Sequence, residues 1–206
     1  MLRTGLLLTV ECDLLNPQLP IILASVSPRR RQLLAEAGYR FEVVCPHIDE
    51  SYFPAEGAAP CEYAKRLALA KAKSVAADFV NHVVLGADTV VDFQGQVIGK
   101  PTDEKHAERI IRKLFSLPHK VITGVAIVRL SDSTEIAESD TTVVYPRKLS
   151  QRQIKEHIES GCWRDKAGAY AIQENGDKFI ERIDGSLTNV MGLPMELLQR
   201  QLKKFI

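Results

Sequence analysis

Three consecutive arginines, Arg29, Arg30 and Arg31, follow Ser27-Pro28, where a helix is least willing to accept positive charge. Ser27 has the chemistry of an N-cap and Pro28 that of a first helical residue. Leu33, Leu34 and Ala37 supply a buried stripe that ends near Gly38. The arginines therefore fall in the first turn, beside free N–H groups and the positive end of the helix dipole. Each is disfavoured there by up to about 1 kcal/mol unless an anion is bound. Charge alone leaves two readings open: a phosphate site, or an exposed basic turn whose long side chains fold outward into water.

Other side chains carry comparable alternatives. Lys71 shares a helix face with Ala64, Leu67, Ala68 and Val75. A lysine inside such a stripe either snorkels to water along its stem or reaches a buried anion. Asp88 closes the most apolar strand of the chain, His82 to Ala87. The carboxyl ends of strands line the ligand crevice in open α/β sheets, yet an Asp followed by Thr89 also makes a turn. Asp49-Glu50 is a carboxylate pair suited to Mg²⁺ or Mn²⁺ shared with substrate phosphates, or else part of a solvated acidic loop. Lys100, held extended by Pro101, carries no signal by itself. Between Trp163 and Gln173, charged residues including Lys166 precede small ones that let a planar base approach the backbone, or that pack against a helix. Trp163 itself is a stacking or dimer-contact residue, or a partly buried structural one.

The elements that must position these groups belong to a chain of 206 residues, enough for one well-buried domain. Lysine and arginine total 27 against 26 acidic residues, so no global field favours nucleic acid or a membrane surface, and any anion site is local. The four cysteines form no CxxC or close pair, which points to a reducing, cytoplasmic setting. The histidines make no HExxH, and neither GxSxG nor a Walker A loop occurs. Met1 to Val10 only imitates a secretory signal, since Glu11 and Asp13 stand where a small-residue cleavage site belongs. Residues 1–19 are expected to form an N-terminal extension to a single domain over 20–206, with no segment able to span a bilayer.

Within that domain the patterning predicts strands at Pro20 to Ala24 and Phe41 to Cys45 around the arginine helix, then a helix from Cys61 to about Phe79. The central strand ends at Asp88, and Val90 and Val91 feed a turn at Gln94-Gly95. Thr102 caps a helix with the stripe Ala107, Ile110, Ile111, Leu114 and Phe115. Val121 to Leu130 and Glu135 to Tyr145 are strands joined by a polar turn, so part of the sheet is antiparallel. A helix from Gln151 to Ser160, short strands near Tyr170 to Gln173 and Phe179 to Ile183, and an amphipathic helix after Pro194 complete a mixed α/β fold.

A series of segments in register carries a specific resemblance. They are Leu23 to Arg30 with the Tyr63 to Ala72 helix, Gly86 to Val91, Lys100-Pro101, Thr123 to Val125, Asp165 to Gln173, and Asn189 to Pro194. From about Ile21 to Leu198 the chain resembles the Maf family of nucleotide pyrophosphatases. The resemblance implies a mixed, mostly central sheet flanked by helices, in two lobes with an active-site cleft. It implies hydrolysis of a nucleoside triphosphate to monophosphate and pyrophosphate with a divalent cation, Mg²⁺ or Mn²⁺, in a cytoplasmic homodimer. The proton acceptor falls on Asp88, which with Glu50 also handles the metal. Phosphate-binding positions fall on Ser27, Arg29, Arg30, Lys71 and Lys100, with Lys71 and Lys100 in catalytic roles. Lys166 joins the substrate-binding set, and Thr89, Gln173 and Arg29 match positions that set base preference. Gln173 is followed by Glu174-Asn175-Gly176 where the family pattern has glycine at once. The resemblance is to the dTTP/UTP branch, the alternatives being a 7-methyl-GTP pyrophosphatase or a nucleotide sensor linked to cell division.

Overall fold

The computed structural model describes residues 19–172 and 179–205. Gln173 and nearly all of the expected N-terminal extension lie outside them. A buried strand, β1 (Ile21–Ala24), leads into α1 (Pro28–Glu36) and returns as β2 (Phe41–Val44), parallel to β1. Helix α2 (Pro60–Ala76) crosses to β3 (Val84–Phe93), which pairs parallel with β1 only from Val84 to Gly86. A tight turn at Gln94 and Gly95, both at positive φ, folds β4 (Gln96–Ile98) back on β3. Beyond α3 (Glu104–Leu114), the long strands β5 (His119–Arg129) and β6 (Thr134–Pro146) continue the sheet antiparallel. The chain closes with α4 (Gln151–Glu159), β7 (Ile180–Asp184), α5 (Leu187–Met191) and α6 (Met195–Leu202). Among the described residues the sheet has seven strands, ordered β2-β1-β3-β5-β6-β7 with β4 on β3. No described helix is long and apolar enough to cross a membrane.

Small residues set how the layers meet. Helix α2 presses Ala64, Ala68 and Ala72 onto the sheet, all fully buried. A Cβ on Gly86 would stand 2.2 Å from Ala68 O, and one on Gly124 2.3 Å from Ala64 O. Only glycine permits such an approach of backbone to backbone. On the opposite face two cores lie side by side. Leu85, Ala87 and Val125 pack with α1 and α6, whereas Val91 and Val121 pack with α3, α4 and Tyr170. Between them on that face stand Thr89 and Thr123, directly paired across β3 and β5. The boundary between the lobes is thus written into two strands as a polar pair between apolar ones.

Three expectations are corrected. Strand β3 does not end at Asp88 but runs through it to Phe93, because β5 keeps the ladder paired as far as Asp92↔Lys120. What ends is β1, so among the described residues the edge of β3 has no strand partner from Ala87 until β4 begins opposite Val91. The cap of α3 is Asp103, whose carboxylate accepts from His106 N at 2.7 Å, while Thr102 donates to that carboxylate. Tyr170 to Ile172 form no strand. A 3₁₀ turn at Ala167–Ala169 precedes them, and positive φ at Gly168 and Ala169 steers the chain out of extended conformation and into the core.

Candidate active site

The site gathers where β1 leaves the sheet. Because α2 lies so close to β3, the Lys71 stem runs along the sheet and its ammonium meets Asp88, Nζ to Oδ1 2.6 Å, at the free edge of β3. Asp88 lies opposite Gly124 in the ladder, where the strand meets the α2 backbone at Ala64. The loop before α2 supplies Glu50 at the start of a 3₁₀ turn capped by Asp49, and Glu50 Oε1 reaches the same nitrogen at 2.9 Å. One ammonium is therefore shared by two carboxylates. Of the two readings of Lys71, burial toward an anion holds, with the side chain 13% exposed. Partial burial pushes the Glu50 carboxyl up, but the hydrogen bond and charge of Lys71, backed by Lys100 and Arg30, hold it below its ordinary range.

The arginine turn divides by role. Ser27 is the N-cap residue by position, yet its side chain makes no capping bond. Arg30 folds back toward the sheet: Nε donates to Gly192 O at 2.7 Å, Nη1 to Ser25 Oγ at 3.1 Å and Nη2 to Thr89 Oγ1 at 3.1 Å. Burial pulls this guanidinium below its ordinary value, with Asp88 opposing the shift and Arg29 adding to it. Arg29 lines the cleft and Arg31 is exposed. Cleft-facing and outward-facing arginines thus sit in adjacent residues of one turn.

Two adjoining chambers make the cleft. The wider, about 690 Å³, is bordered by Ser27, Arg29, Glu50, Lys71, Lys100 and Lys166. The narrower, about 150 Å³, shares the cations, adds Asp88 and continues past Thr89 between the two lobes to Val91, Tyr170 and Met191. A cation-rich mouth that leads past Thr89 to the side chains of Val91, Val121 and Met191 suits an anionic chain bearing a planar group. Of the residues expected in the site, Ser27, Arg29, Arg30, Glu50, Lys71, Asp88, Thr89, Lys100 and Lys166 all border these chambers. Lys166 also donates to Cys162 O. Trp163 is buried, its indole donating to Ile158 O at 3.0 Å, which makes it structural. No cluster of three or more His, Cys, Asp or Glu placed to hold a metal occurs among the described residues.

Sequence reasoning assigned no role to Ser25, Thr123, Asn189 or Gly192. Thr123 and Asn189 are fully buried, and Thr123 donates to Asn189 O at 2.9 Å. All four lie in segments that carry the family resemblance, and Thr123 also stands within the apolar run Val121 to Val128, where a buried hydroxyl requires a partner. His119, also buried, donates from Nδ1 to Leu114 O at 3.2 Å and accepts at Nε2 from Tyr170 at 2.7 Å. Burial lowers its pKa to about 4, so the ring is neutral and the Tyr170 proton is committed to it.

Comparison with known proteins identifies relatives of the chain. A family model described as Maf-like protein matches residues 20–205. A dTTP/UTP pyrophosphatase of Elusimicrobium minutum is 45% identical over 185 residues, 90% of this chain and 98% of that protein. One of Geobacter sulfurreducens is 45% identical over 175 residues, 85% of this chain and 91% of that protein. In fold, the chain is similar to the Staphylococcus aureus Ham1 protein, with a TM-score of 0.50 at 13% identity, covering 90% of this chain and 98% of that one. With the match extending over both lobes and the cleft between them, the chain belongs to the Maf family.

Proposed function

We propose that the protein hydrolyses dTTP and UTP, and modified pyrimidine nucleotides of the same shape, to the monophosphate and pyrophosphate. The observation that carries this is Lys71 Nζ shared between Asp88 and Glu50 at one end of a cation-lined cleft. The names of the similar proteins, dTTP/UTP pyrophosphatases, support the substrate class.

A triphosphate carrying one divalent cation keeps a net charge of about −2, so attack at the α-phosphorus needs fixed positive charge aimed at the oxygens that gain negative charge. Arg29, Lys100 and Lys71 supply it, with Arg30 holding the helix terminus against the sheet. Ser27 and the free N–H groups of α1 offer neutral donors to the same oxygens. Asp88 accepts the proton of the attacking water, and pyrophosphate leaves toward the wider chamber. No covalent intermediate on the protein is required.

Glu50 and Asp88 fit a divalent cation such as Mg²⁺ or Mn²⁺, since two carboxylates that both reach one ammonium within 2.9 Å are close enough to share a cation. Substrate phosphates would complete the hard oxygen donors. Bound there, the ion supplies a lowered pKa for coordinated water and a polarised phosphoryl group. Cysteines that are free where described support a cytoplasmic setting. The homodimer implied by the resemblance is read out by sedimentation.

The test is pyrophosphate release from dTTP, UTP, CTP, ATP, GTP and 7-methyl-GTP with Mg²⁺ or Mn²⁺. Release from dTTP and UTP above the others is expected. Binding without release from any of them would replace the enzyme with a nucleotide sensor, and preference for 7-methyl-GTP would move it to the other branch.

A further inference from the structure

We infer that Thr123 is a positioning residue that fixes the direction of the Thr89 hydroxyl, so that Thr89 meets the nucleoside as a hydrogen-bond acceptor and favours bases bearing an imide N–H. The inference rests on the proposed pyrophosphatase reading.

Proton counting sets the direction. A threonine hydroxyl has one proton and two acceptor positions. Asn189 O accepts at 2.9 Å from Thr123 Oγ1, and a carbonyl has no proton to give, so the Thr123 proton is spent there. Thr89 and Thr123 Oγ1 atoms lie 3.0 Å apart. That bond is therefore donated by Thr89. Arg30 Nη2 donates to Thr89 Oγ1 at 3.1 Å. The chain Arg30 to Thr89 to Thr123 to Asn189 O runs one way, and one acceptor position on Thr89 is left for the cleft.

Placement makes that position matter for the base. Asp88 and Thr89 are adjacent on β3, so their side chains leave opposite faces of the sheet. Asp88 meets Lys71 on the α2 face, while Thr89 points into the narrow chamber beside Val91, Val121 and Met191. Tyr170 borders the same chamber, and its hydroxyl is already held by His119. Arg30 has five N–H donors and spends three on Gly192, Ser25 and Thr89, so donors remain beside the Thr89 acceptor. A donor next to an acceptor complements the adjacent carbonyl and N3–H of uracil or thymine. In that pose cytosine puts its N3 acceptor against the Thr89 acceptor, and its own acceptor–donor pair, N3 and N4–H, fits only if the base shifts by one ring position.

The experiment measures kcat/KM for UTP and CTP in the wild type, Thr123→Val and Thr123→Ser. Valine keeps the shape but removes the acceptor for the Thr89 proton, which is then free to point into the chamber. The UTP-to-CTP ratio is expected to fall at least about tenfold in Thr123→Val, a fraction of what a donor–acceptor mismatch can impose, and to recover in Thr123→Ser. Thr123→Ala removes the same acceptor with less bulk and gives the same readout should valine not fold. A ratio unchanged in a folded, active variant overturns the inference, as does a shift confined to the UTP-to-dUTP ratio, which would place Thr89 against the sugar. Failure of the wild type to release pyrophosphate from any triphosphate instead overturns the underlying reading.

Discussion

Lys71 Nζ lies 2.6 Å from Asp88 Oδ1 although 17 positions separate the two residues in the chain. Glu50, on a third segment, reaches the same nitrogen at 2.9 Å. The contact exists because Gly86 and Gly124 let α2 rest on the sheet, backbone against backbone. A stripe of alanines and two strand glycines, none of them chemically active, thus determine where the reactive groups stand.

Replacing Asp88 by Asn removes the proton acceptor but keeps an oxygen toward Lys71. Pyrophosphate release from dTTP should fall at least about a hundredfold, the usual contribution of general base catalysis, while nucleotide binding by calorimetry persists. Near-normal turnover would take Asp88 out of the role.

Gly86→Ala tests the close approach. Its Cβ would stand 2.2 Å from Ala68 O, a backbone atom that cannot swing aside. A loss of about 1–3 kcal/mol is expected by denaturant melting, as for overpacked cores, with turnover falling further as Lys71 is carried off Asp88. Gly99→Ala, where an added Cβ meets nothing within 4 Å, should stay within about 0.5 kcal/mol of wild type.

His119 gives stability a pH dependence. Burial lowers its pKa from 6.5 to about 4, so below pH 6.5 the unfolded chain takes up a proton that the folded protein refuses. The contribution is present in full above pH 6.5 and is lost as pH falls toward 4, in total up to about 3 kcal/mol. His119→Gln keeps a donor for Leu114 O and an acceptor for Tyr170. Melting across this window should show a shallower acid decline for the variant than for wild type, and parallel curves would remove His119 as the cause.

Chelation should abolish pyrophosphate release, and Mg²⁺ or Mn²⁺ should restore it. Glu50→Gln keeps an oxygen toward Lys71 but lowers the charge of the carboxylate pair. The half-saturating Mn²⁺ concentration in the presence of nucleotide is expected to rise about tenfold, as when the support of a metal site is weakened. An unchanged metal dependence would take Glu50 out of the ligand set.

Much of the fold is local and was legible. The stripe of α3 appears where its periodicity places it, and Ala107, Ile110, Ile111 and Leu114 are buried. Pro28 opens α1 with Ser27 in the cap position, though the Ser27 side chain makes no capping bond. The errors arose where local pattern met long-range pairing. Asp88 looked like a strand end because polarity follows an apolar run, yet β5 pairs straight through it. Thr102 and Asp103 are both good caps, and the choice between them turned on which carboxylate or hydroxyl reached His106 N.

By itself the amino-acid sequence determined most of the element order, the cation-rich helix start and the identity of the groups able to do chemistry, because caps, turns and periodicity act within a few residues. Only the tertiary structure decided what those groups do to one another. Lys71 is shared by Asp88 and Glu50, Arg30 is tied to Gly192, Ser25 and Thr89 while Arg31 faces water, and the Thr89 proton is directed to Thr123. Each of these depends on how closely α2, β3, β5 and the segment around Asn189 pack. A hydrogen bond is decided by tenths of an ångström between segments distant in the chain, a quantity that no local pattern encodes.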